Sequence, residues 1–397
     1  MQDKKILNKI IHNKNFKKKV FRPFNNLCID FLEDFSKKLK NYKDLKSYPD
    51  LIYLMYWCRK ERIKKLEHSL TDNQYRLGRG LIFHICPSNV PTNFVYSLFF
   101  GLLSGNSNIV KISSENSKEK SIIISILKNI FDKRKYKALK NSNILTEYKA
   151  SNTKNTEFFS SVCDARVIWG GNKTINDIRK FWIPERSIDI TFADRYSISV
   201  INLEILKNLN LNKLKILAKK FYYDSYLMNQ AACNSPHFVF WVGKKNTKLQ
   251  NTFWKELNEA VENNFIFDDI HIVDKYTNLM KNIIEHDKFN KINMYKNNLY
   301  VVDVHQKVNT IENIRGKNGT FFQKNINNLS KIKYSISKKC QTLTYFGFEK
   351  KELEVFLLNN NLSGIDRAVP IGNALNINPI WDGFNVLNEL SRIIIIE

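Results

Sequence analysis

The sequence predicts an α/β protein of two domains, the first built on a parallel sheet and the second a further α/β lobe, and three observations carry that expectation. The chain has 397 residues, 43% of them hydrophobic, which is more than one core accommodates, because single cores stop growing at roughly 250–300 residues. From Leu77 onward, short apolar runs bounded by Gly, Pro and Asn alternate with helix-like stretches, and that alternation is the mark of parallel βαβ units. Strand, turn and helix then recur three times in succession.

Residues 1–76 read as a helical lead-in, since Leu51, Leu54, Met55 and then Ile63 and Leu66 return at steps of three and four among charges. Leu81-Ile82-Phe83-His84-Ile85 is an all-buried strand, Asn93 to Leu103 a helix, and Asn108 to Ile112 the next strand. Ser121 to Phe131 follows as an amphipathic helix, and Ala165 to Trp169 as a strand that stops at Gly170-Gly171. Further strands are expected around Ile198 to Ile201, His237 to Val242 and Leu299 to Val304, with a turn-rich tail from Gly364 to Arg392.

Composition narrows the function classes. Charged residues at 25% and aromatics at 13% suit a folded chain without a long disordered segment. The net charge of +25 invites a nucleic-acid reading. The lysines, however, are scattered, and runs such as Lys17-Lys18-Lys19 and Lys37-Lys38 are short, so a solvated surface is expected and no specific nucleic-acid partner. Cysteines at 28, 58, 86, 163, 233 and 340 show neither zinc spacing nor a disulfide framework, which points to no metal and to a reducing, cytoplasmic setting. Lys4, Lys5 and Lys9 precede no apolar stretch of signal-peptide type. The region Leu81–Leu103 is interrupted by Pro87, Asn89, Pro91 and Asn93, so no membrane span is expected.

Four segments have the chemistry of a site. Cys233 lies in a turn before the strand at Phe238, where a thiol can reach a cleft and act as a nucleophile; a small buried residue is the commoner fate of a lone Cys. Asn89, in Cys86-Pro87-Ser88-Asn89-Val90-Pro91, follows a buried strand, and prolines fix the backbone on either side. A rigid amide NH₂ there suits an oxyanion hole, and an ordinary turn Asn suits the same spacing equally well. Lys111 and Ser113 stand at a strand end, where ammonium and hydroxyl meet ribose or phosphate oxygens. Gly170-Gly171 resembles a strand-to-helix turn that admits a pyrophosphate.

Taken in order, these pieces resemble a known family. His84-Ile85-Cys86-Pro87-Ser88-Asn89-Val90-Pro91 and Gly105-Asn106-Ser107-Asn108-Ile109-Val110-Lys111 are similar to segments of aldehyde dehydrogenases and, more closely, of the LuxC acyl-CoA reductases. The similarity continues through Trp169-Gly170-Gly171-Asn172, Phe192-Ala193-Asp194-Arg195-Tyr196-Ser197, Gln230-Ala231-Ala232-Cys233-Asn234-Ser235-Pro236, Gln341-Thr342-Leu343-Thr344-Tyr345 and Gly364-Ile365-Asp366-Arg367 to Trp381-Asp382-Gly383, covering roughly residues 77–392.

The resemblance implies an aldehyde-dehydrogenase-like fold with a Rossmann-type cofactor domain and a second α/β catalytic domain. On that reading a lead-in over 1–76 precedes the cofactor domain at 77–205, the catalytic domain at 206–345, and a segment 346–397 that packs back near the site. It implies Cys233 as the acyl acceptor, Asn89 with the Cys233 backbone N–H as oxyanion donors, Lys111 and Ser113 at the adenosine ribose, and Gly170 and Gly171 near the pyrophosphate. The implied reaction reduces an acyl-CoA or acyl-carrier thioester to an aldehyde with NADPH, NADH being the alternative cofactor. The implied associations are a homo-oligomer or a partner acyl-transfer enzyme. Where hydrolytic aldehyde dehydrogenases carry Glu-Leu-Gly-Gly, this chain has Ile190-Thr191-Phe192-Ala193-Asp194-Arg195. Without that glutamate to activate water, thioester exchange is favoured over release of an acid, unless Asp194 substitutes. Two other readings stay open: an aldehyde dehydrogenase working in the oxidative direction, and a basic binding protein on an inactive enzyme fold.

Overall fold

A computed structural model describes residues 8–11, 15–70, 74–286, 289–305 and 311–397. The expected lead-in at residues 1–7, with Lys4 and Lys5, lies outside the described residues. The chain divides into two compact units, Met1–Asp194 with Ile377–Glu397, and Arg195–Asn376.

In the first unit β1 (Asn8–Ile11), α1 (Asn26–Lys40), α2 (Pro49–Trp57) and α3 (Lys60–Leu70) precede β2 (Tyr75–Gly78). Then come β3 (Leu81–Ile85), α4 (Asn93–Leu103), β4 (Ser107–Ile112), α5 (Lys118–Phe131), α6 (Lys137–Lys140), β5 (Asn143–Glu147), α7 (Thr153–Val162), β6 (Ala165–Trp169), α8 (Asn172–Arg179) and β7 (Ile188–Phe192). The sheet order is β1-β5-β4-β3-β6-β7, with β1 antiparallel and the others parallel. Strand order reverses between β3 and β6, so the loops leaving their carboxyl ends part there and open a crevice.

Every residue of β3 is buried, and all but the first of α4. Such continuous burial belongs to strands covered on both faces. The central helix sits so close to the sheet that a Cβ on Gly101 would collide with Oδ1 of Asn108, so only glycine fits there. The helical lead-in is part of this core: Phe31 of α1 meets Phe131 of α5 with ring centroids 4.6 Å apart, and Phe35 meets Phe99 of α4 at 5.2 Å.

The second unit runs β8 (Tyr196–Asn202), α9 (Leu203–Leu206), α10 (Leu211–Ser225), β9 (Pro236–Val242), α11 (Thr247–Asn264), α12 (Asp269–Glu285), β10 (Phe289–Tyr295), β11 (Leu299–Val304), β12 (Thr320–Ile326), β13 (Cys340–Phe346), α13 (Lys350–Asn359) and β14 (Arg367–Pro370). Its sheet order is β10-β11-β12-β9-β8-β13-β14, with only the β10–β11 pair antiparallel. Alternation along β9 feeds two cores. Phe238 and Phe240 pack on one face with Ile198 and Leu343, while Val239 and Trp241 pack on the other with Phe221 and Leu257. Trp241 and Trp254 both donate their indole N–H to Oε1 of Gln323 at 2.7 Å, which satisfies two polar groups inside hydrocarbon.

The chain finally returns to the first unit through β15 (Ile380–Trp381), β16 (Phe384–Asn385), α14 (Val386–Glu389) and β17 (Ser391–Ile394). β17 pairs antiparallel with β2, Ser391 opposite Gly78. The division therefore falls at 194/195 and 376/377, where residues 76, 205 and 345 were expected. The strand expected at Ile198–Ile201 does form, but its hydrogen-bonded neighbours are β9 and β13, which draw it into the second sheet. Residues 346–376 belong to the second unit, and 377–397 to the first.

A buried ion pair ties β6 to β7: the Arg166 guanidinium grips Asp189 through Nε (2.7 Å) and Nη2 (2.8 Å), and its Nη1 reaches the Ile178 and Phe181 carbonyls at 3.0 Å. Arg166→Met would leave that carboxylate and both carbonyls without their donor. We expect a loss of about 3 kcal/mol in urea unfolding, at the low end for a broken buried pair because 17% of the Asp189 side chain is exposed; a loss below about 1 kcal/mol would contradict a structural role.

Candidate active site

In the first unit, the carboxyl ends of β3, β4 and β6 bring together the loops holding Asn89, Ser113 and Gly170-Gly171. The loop after β3 starts with Cys86 N–H donating to Lys111 C=O at 3.2 Å and closes with Asn93 N–H donating to Val90 C=O at 3.0 Å. Between these bonds the two prolines hold Ser88 and Asn89 out of the core, both exposed. Lys111 is half-buried with Nζ 5.2 Å from the centre of the Tyr148 ring, and burial holds its ammonium below the ordinary range, against an opposing pull from Cys86.

Ser113 is fixed by its neighbours. Its hydroxyl oxygen accepts from Glu115 N–H at 3.1 Å, and its carbonyl accepts from Nζ of Lys120 at 2.7 Å. Lys120 also donates to the Glu115 carbonyl and to the Glu147 carboxylate, so one buried ammonium braces the whole loop. A cavity of about 160 Å³ lies here, bounded by Pro87, Ser88, Ile112, Ser113, Glu115 and Lys120 among others.

A buried polar chain steadies the end of β6. Asn108 donates to Asn143 Oδ1 at 2.7 Å, which leaves its own Oδ1 to accept from His84 Nε2 at 2.9 Å. Nδ1 of His84 then accepts from the Ser97 hydroxyl at 2.8 Å, and Ser97 in turn accepts from the Trp169 indole at 3.0 Å. Burial pushes His84 down to about 4, so it serves this chain as a neutral ring. Trp169 is also stacked on Phe192 with centroids 3.8 Å apart. Beyond it, a Cβ on Gly170 would lie 3.1 Å from Thr174, whereas a Cβ on Gly171 would meet nothing within 4 Å. Gly171 caps α8 without a side-chain bond and at φ −66°, an angle open to any residue. Among the described residues nothing therefore asks for glycine at 171, and the position leaves open space before the first N–H groups of α8.

Cys233 belongs to the second unit. Asn229 and Gln230 turn the chain in the left-handed region, at φ 48° and 58°. The buried Gln230 amide donates to the Pro236 (3.1 Å) and Thr320 (3.0 Å) carbonyls and accepts from Gly319 N–H (2.9 Å), locking the turn to the starts of β9 and β12. The Ser197 hydroxyl donates to the Cys233 carbonyl at 2.7 Å, and Nε2 of Gln341 lies 3.3 Å from the Cys233 sulfur. Asn234 donates from Nδ2 to the Ala374 carbonyl.

Five of the six cysteines are buried; Cys233 is half-exposed. Burial pushes the thiols of Cys28, Cys86, Cys163 and Cys340 up to about 12, and that of Cys58 well above its ordinary value. Those five are inert small side chains near neutral pH. Cys86, which precedes the proline turn, is among them. His237, four residues after Cys233, donates Nδ1–H to the Gly316 carbonyl at 2.6 Å and is pushed down to about 4, chiefly by burial, so it offers no imidazolium.

Sequence reasoning gave no role to Gln341 or Arg367, although both fell in segments quoted for the resemblance, and it passed over Asp224 in a Lys-rich helix. The Arg367 guanidinium donates to the carbonyls of Asn373 (2.7 Å), Ala374 (2.6 Å) and Asn376 (3.0 Å), and the Asp224 carboxylate accepts from Gly372 N–H (2.6 Å) and Ala374 N–H (2.8 Å).

No curated protein sequence matches this chain. Among solved structures, an oxidoreductase from Marinobacter aquaeolei is similar with a TM-score of 0.66 at 11% identity, over 94% of this chain and 86% of that one. Aldehyde dehydrogenase 21 from Physcomitrella patens gives 0.64 at 10%, over 93% and 85%, and an NAD-dependent benzaldehyde dehydrogenase from Corynebacterium glutamicum gives 0.61 at 12%, over 93% and 84%. Of a bifunctional proline utilization A protein, the chain spans 40%, with a TM-score of 0.62 at 11% identity and 91% of this chain covered. The fold is that of the aldehyde dehydrogenases, two α/β domains on parallel sheets. The family described as acyl-CoA reductase (LuxC) matches residues 7–393, and the chain belongs to that family.

Proposed function

We propose that the protein reduces an acyl thioester, an acyl-CoA or acyl-carrier conjugate, to an aldehyde through an S-acyl intermediate on Cys233. The observation that carries this reading is that Cys233 is the half-exposed thiol in a chain whose other cysteines are buried and hard to ionise. Family membership supports the substrate class.

The Cys233 thiolate attacks the thioester carbonyl. Asn89 through its amide, and Cys233 through its backbone N–H, donate hydrogen bonds to the oxyanion, and the carrier leaves as a thiolate that takes up a proton. A reduced nicotinamide, NADPH with NADH as the alternative, supplies hydride when bound. The thiohemiacetal left on the sulfur then collapses, breaking the C–S bond, returning Cys233 as thiolate and freeing the aldehyde. Gly171, with Gly170 before it, would leave room for the cofactor's pyrophosphate at the start of α8, while Lys111 and Ser113 would hold the adenosine ribose. The run Phe192-Ala193-Asp194, without the glutamate of hydrolytic relatives, favours reduction over release of an acid.

Among the described residues no helix is long and apolar enough to cross a membrane. Free thiols at all six positions support a cytoplasmic setting, with the acyl group delivered as acyl-CoA or by a partner acyl-transfer enzyme.

The reading is tested by following NADPH absorbance with a panel of acyl-CoA chain lengths while capturing aldehyde as a hydrazone. Wild type is expected to couple the two signals one to one. Cys233→Ala should lose turnover entirely, and Asn89→Ala should lose about 10²–10³ in rate. Oxidation of aldehyde by NADP⁺ with no activity on thioesters would instead assign the oxidative reaction. Separately, Gly171→Glu should melt as wild type does, because the position is open. It should also bind NADPH at least about tenfold more weakly, read by quenching of protein fluorescence, since a carboxylate would stand where phosphate is held; unchanged affinity would remove Gly171 from the cofactor site.

A further inference from the structure

The surroundings of Cys233 contain a second layer of chemistry that the proposed reaction leaves unassigned. Gln341, second residue of β13, is buried with its amide nitrogen 3.3 Å from the sulfur. Arg367 opens the neighbouring strand β14, paired in register with Thr342. Its guanidinium is clamped by the carbonyls of residues 373, 374 and 376. One of these, Ala374 C=O, also takes the amide of Asn234, the residue beside the nucleophile. The far side of the same loop is pinned by Asp224.

We propose that Gln341 and Arg367 hold Cys233 as a thiolate before substrate arrives, Gln341 by donating an amide N–H to the sulfur and Arg367 by a fixed positive charge. The proposal rests on the reading of Cys233 as the acyl acceptor. Gln341 touches the reacting atom and is a catalytic residue of that reaction; Arg367 is a positioning residue, acting through the charge and the loop it organises. Burial pulls Arg367 down to about 10, while Asp224 and Cys233 each raise it, so it stays a cation at neutral pH and is electrostatically coupled to the sulfur. Electrostatic coupling of this kind and a hydrogen bond to the charged form both favour ionisation. The neutral His237 cannot supply the same charge. Asp224, on α10 and bonded to this loop, is pushed up to about 7 by burial against its two backbone N–H bonds and Arg367.

The test is the pH dependence of Cys233 alkylation by iodoacetamide, followed by peptide mass in the full-length protein without substrate. The wild-type midpoint is expected at least about one unit below the ordinary thiol value of about 8.5. Gln341→Glu and Arg367→Gln should each raise it by about a unit, slowing alkylation at pH 7 roughly tenfold. Arg367→Lys should recover part of the shift. A wild-type midpoint at or above the ordinary value overturns the proposal even if a variant fails to fold. So do folded Gln341 and Arg367 variants with an unmoved midpoint. The two readings fail separately. A depressed midpoint without acyl-CoA-dependent NADPH oxidation sinks the reductase function only. Turnover that needs Cys233 with an ordinary midpoint sinks this inference only.

Discussion

Two consecutive residues without the freedom of glycine, Asn229 and Gln230, take the left-handed conformation, at a cost of about 1–3 kcal/mol each. Three hydrogen bonds of the Gln230 side chain offset that strain by sewing the turn to the strands it precedes. The Cys233 turn is thereby set between α10 and β9 instead of being absorbed into either. Two buried oxygens of the same stretch, Asn229 Oδ1 and Ser235 Oγ, have no hydrogen-bond partner among the described residues. Strain and orphaned polar atoms at one turn are tolerated where a segment is kept for chemistry and not for stability.

The two units use a common device in different ways. Parallel strands buried on both faces send all their carboxyl-end loops to one edge, which gathers Asn89, Ser113 and Gly170-Gly171 from segments far apart in sequence. In the second unit the Cys233 sulfur precedes a strand, and the side chains around its turn come from elsewhere: Gln341 from β13, Arg367 from β14, and the loop at 371–376 held by Asp224 on α10.

How much of this could be read beforehand depended on whether a residue's role is local. Leu81–Ile85, Asn93–Leu103, Ala165–Trp169 and Leu299–Val304 form as expected because their apolar side chains state their burial outright. β5 and β13 were not recognised. Asn143 and Thr146 in one, and Gln341, Thr342 and Thr344 in the other, are buried polar residues, and Asn143 and Gln341 bond to partners on other elements, so no apolar period marks those strands. The same limit governed the domain boundary, since Tyr196–Asn202 reads as a strand, yet which sheet it joins is decided by Cys340–Phe346, some 145 residues on. The roles proposed for Cys233, Asn89, Lys111, Ser113, Gly170 and Gly171 come from motif order. The approach of Gln341 to the Cys233 sulfur is not local, because it exists only once β13 lies beside β8.

The claim on which the account stands is that the sulfur of Cys233 accepts an acyl group from a thioester. Intact-mass spectrometry of the protein mixed with acyl-CoA and no nicotinamide, followed by digestion, addresses it directly. The account predicts a gain of one acyl group, carried by the peptide containing Cys233 and discharged by hydroxylamine. An unmodified protein, or an acyl group found on Cys86 or another residue, would contradict it.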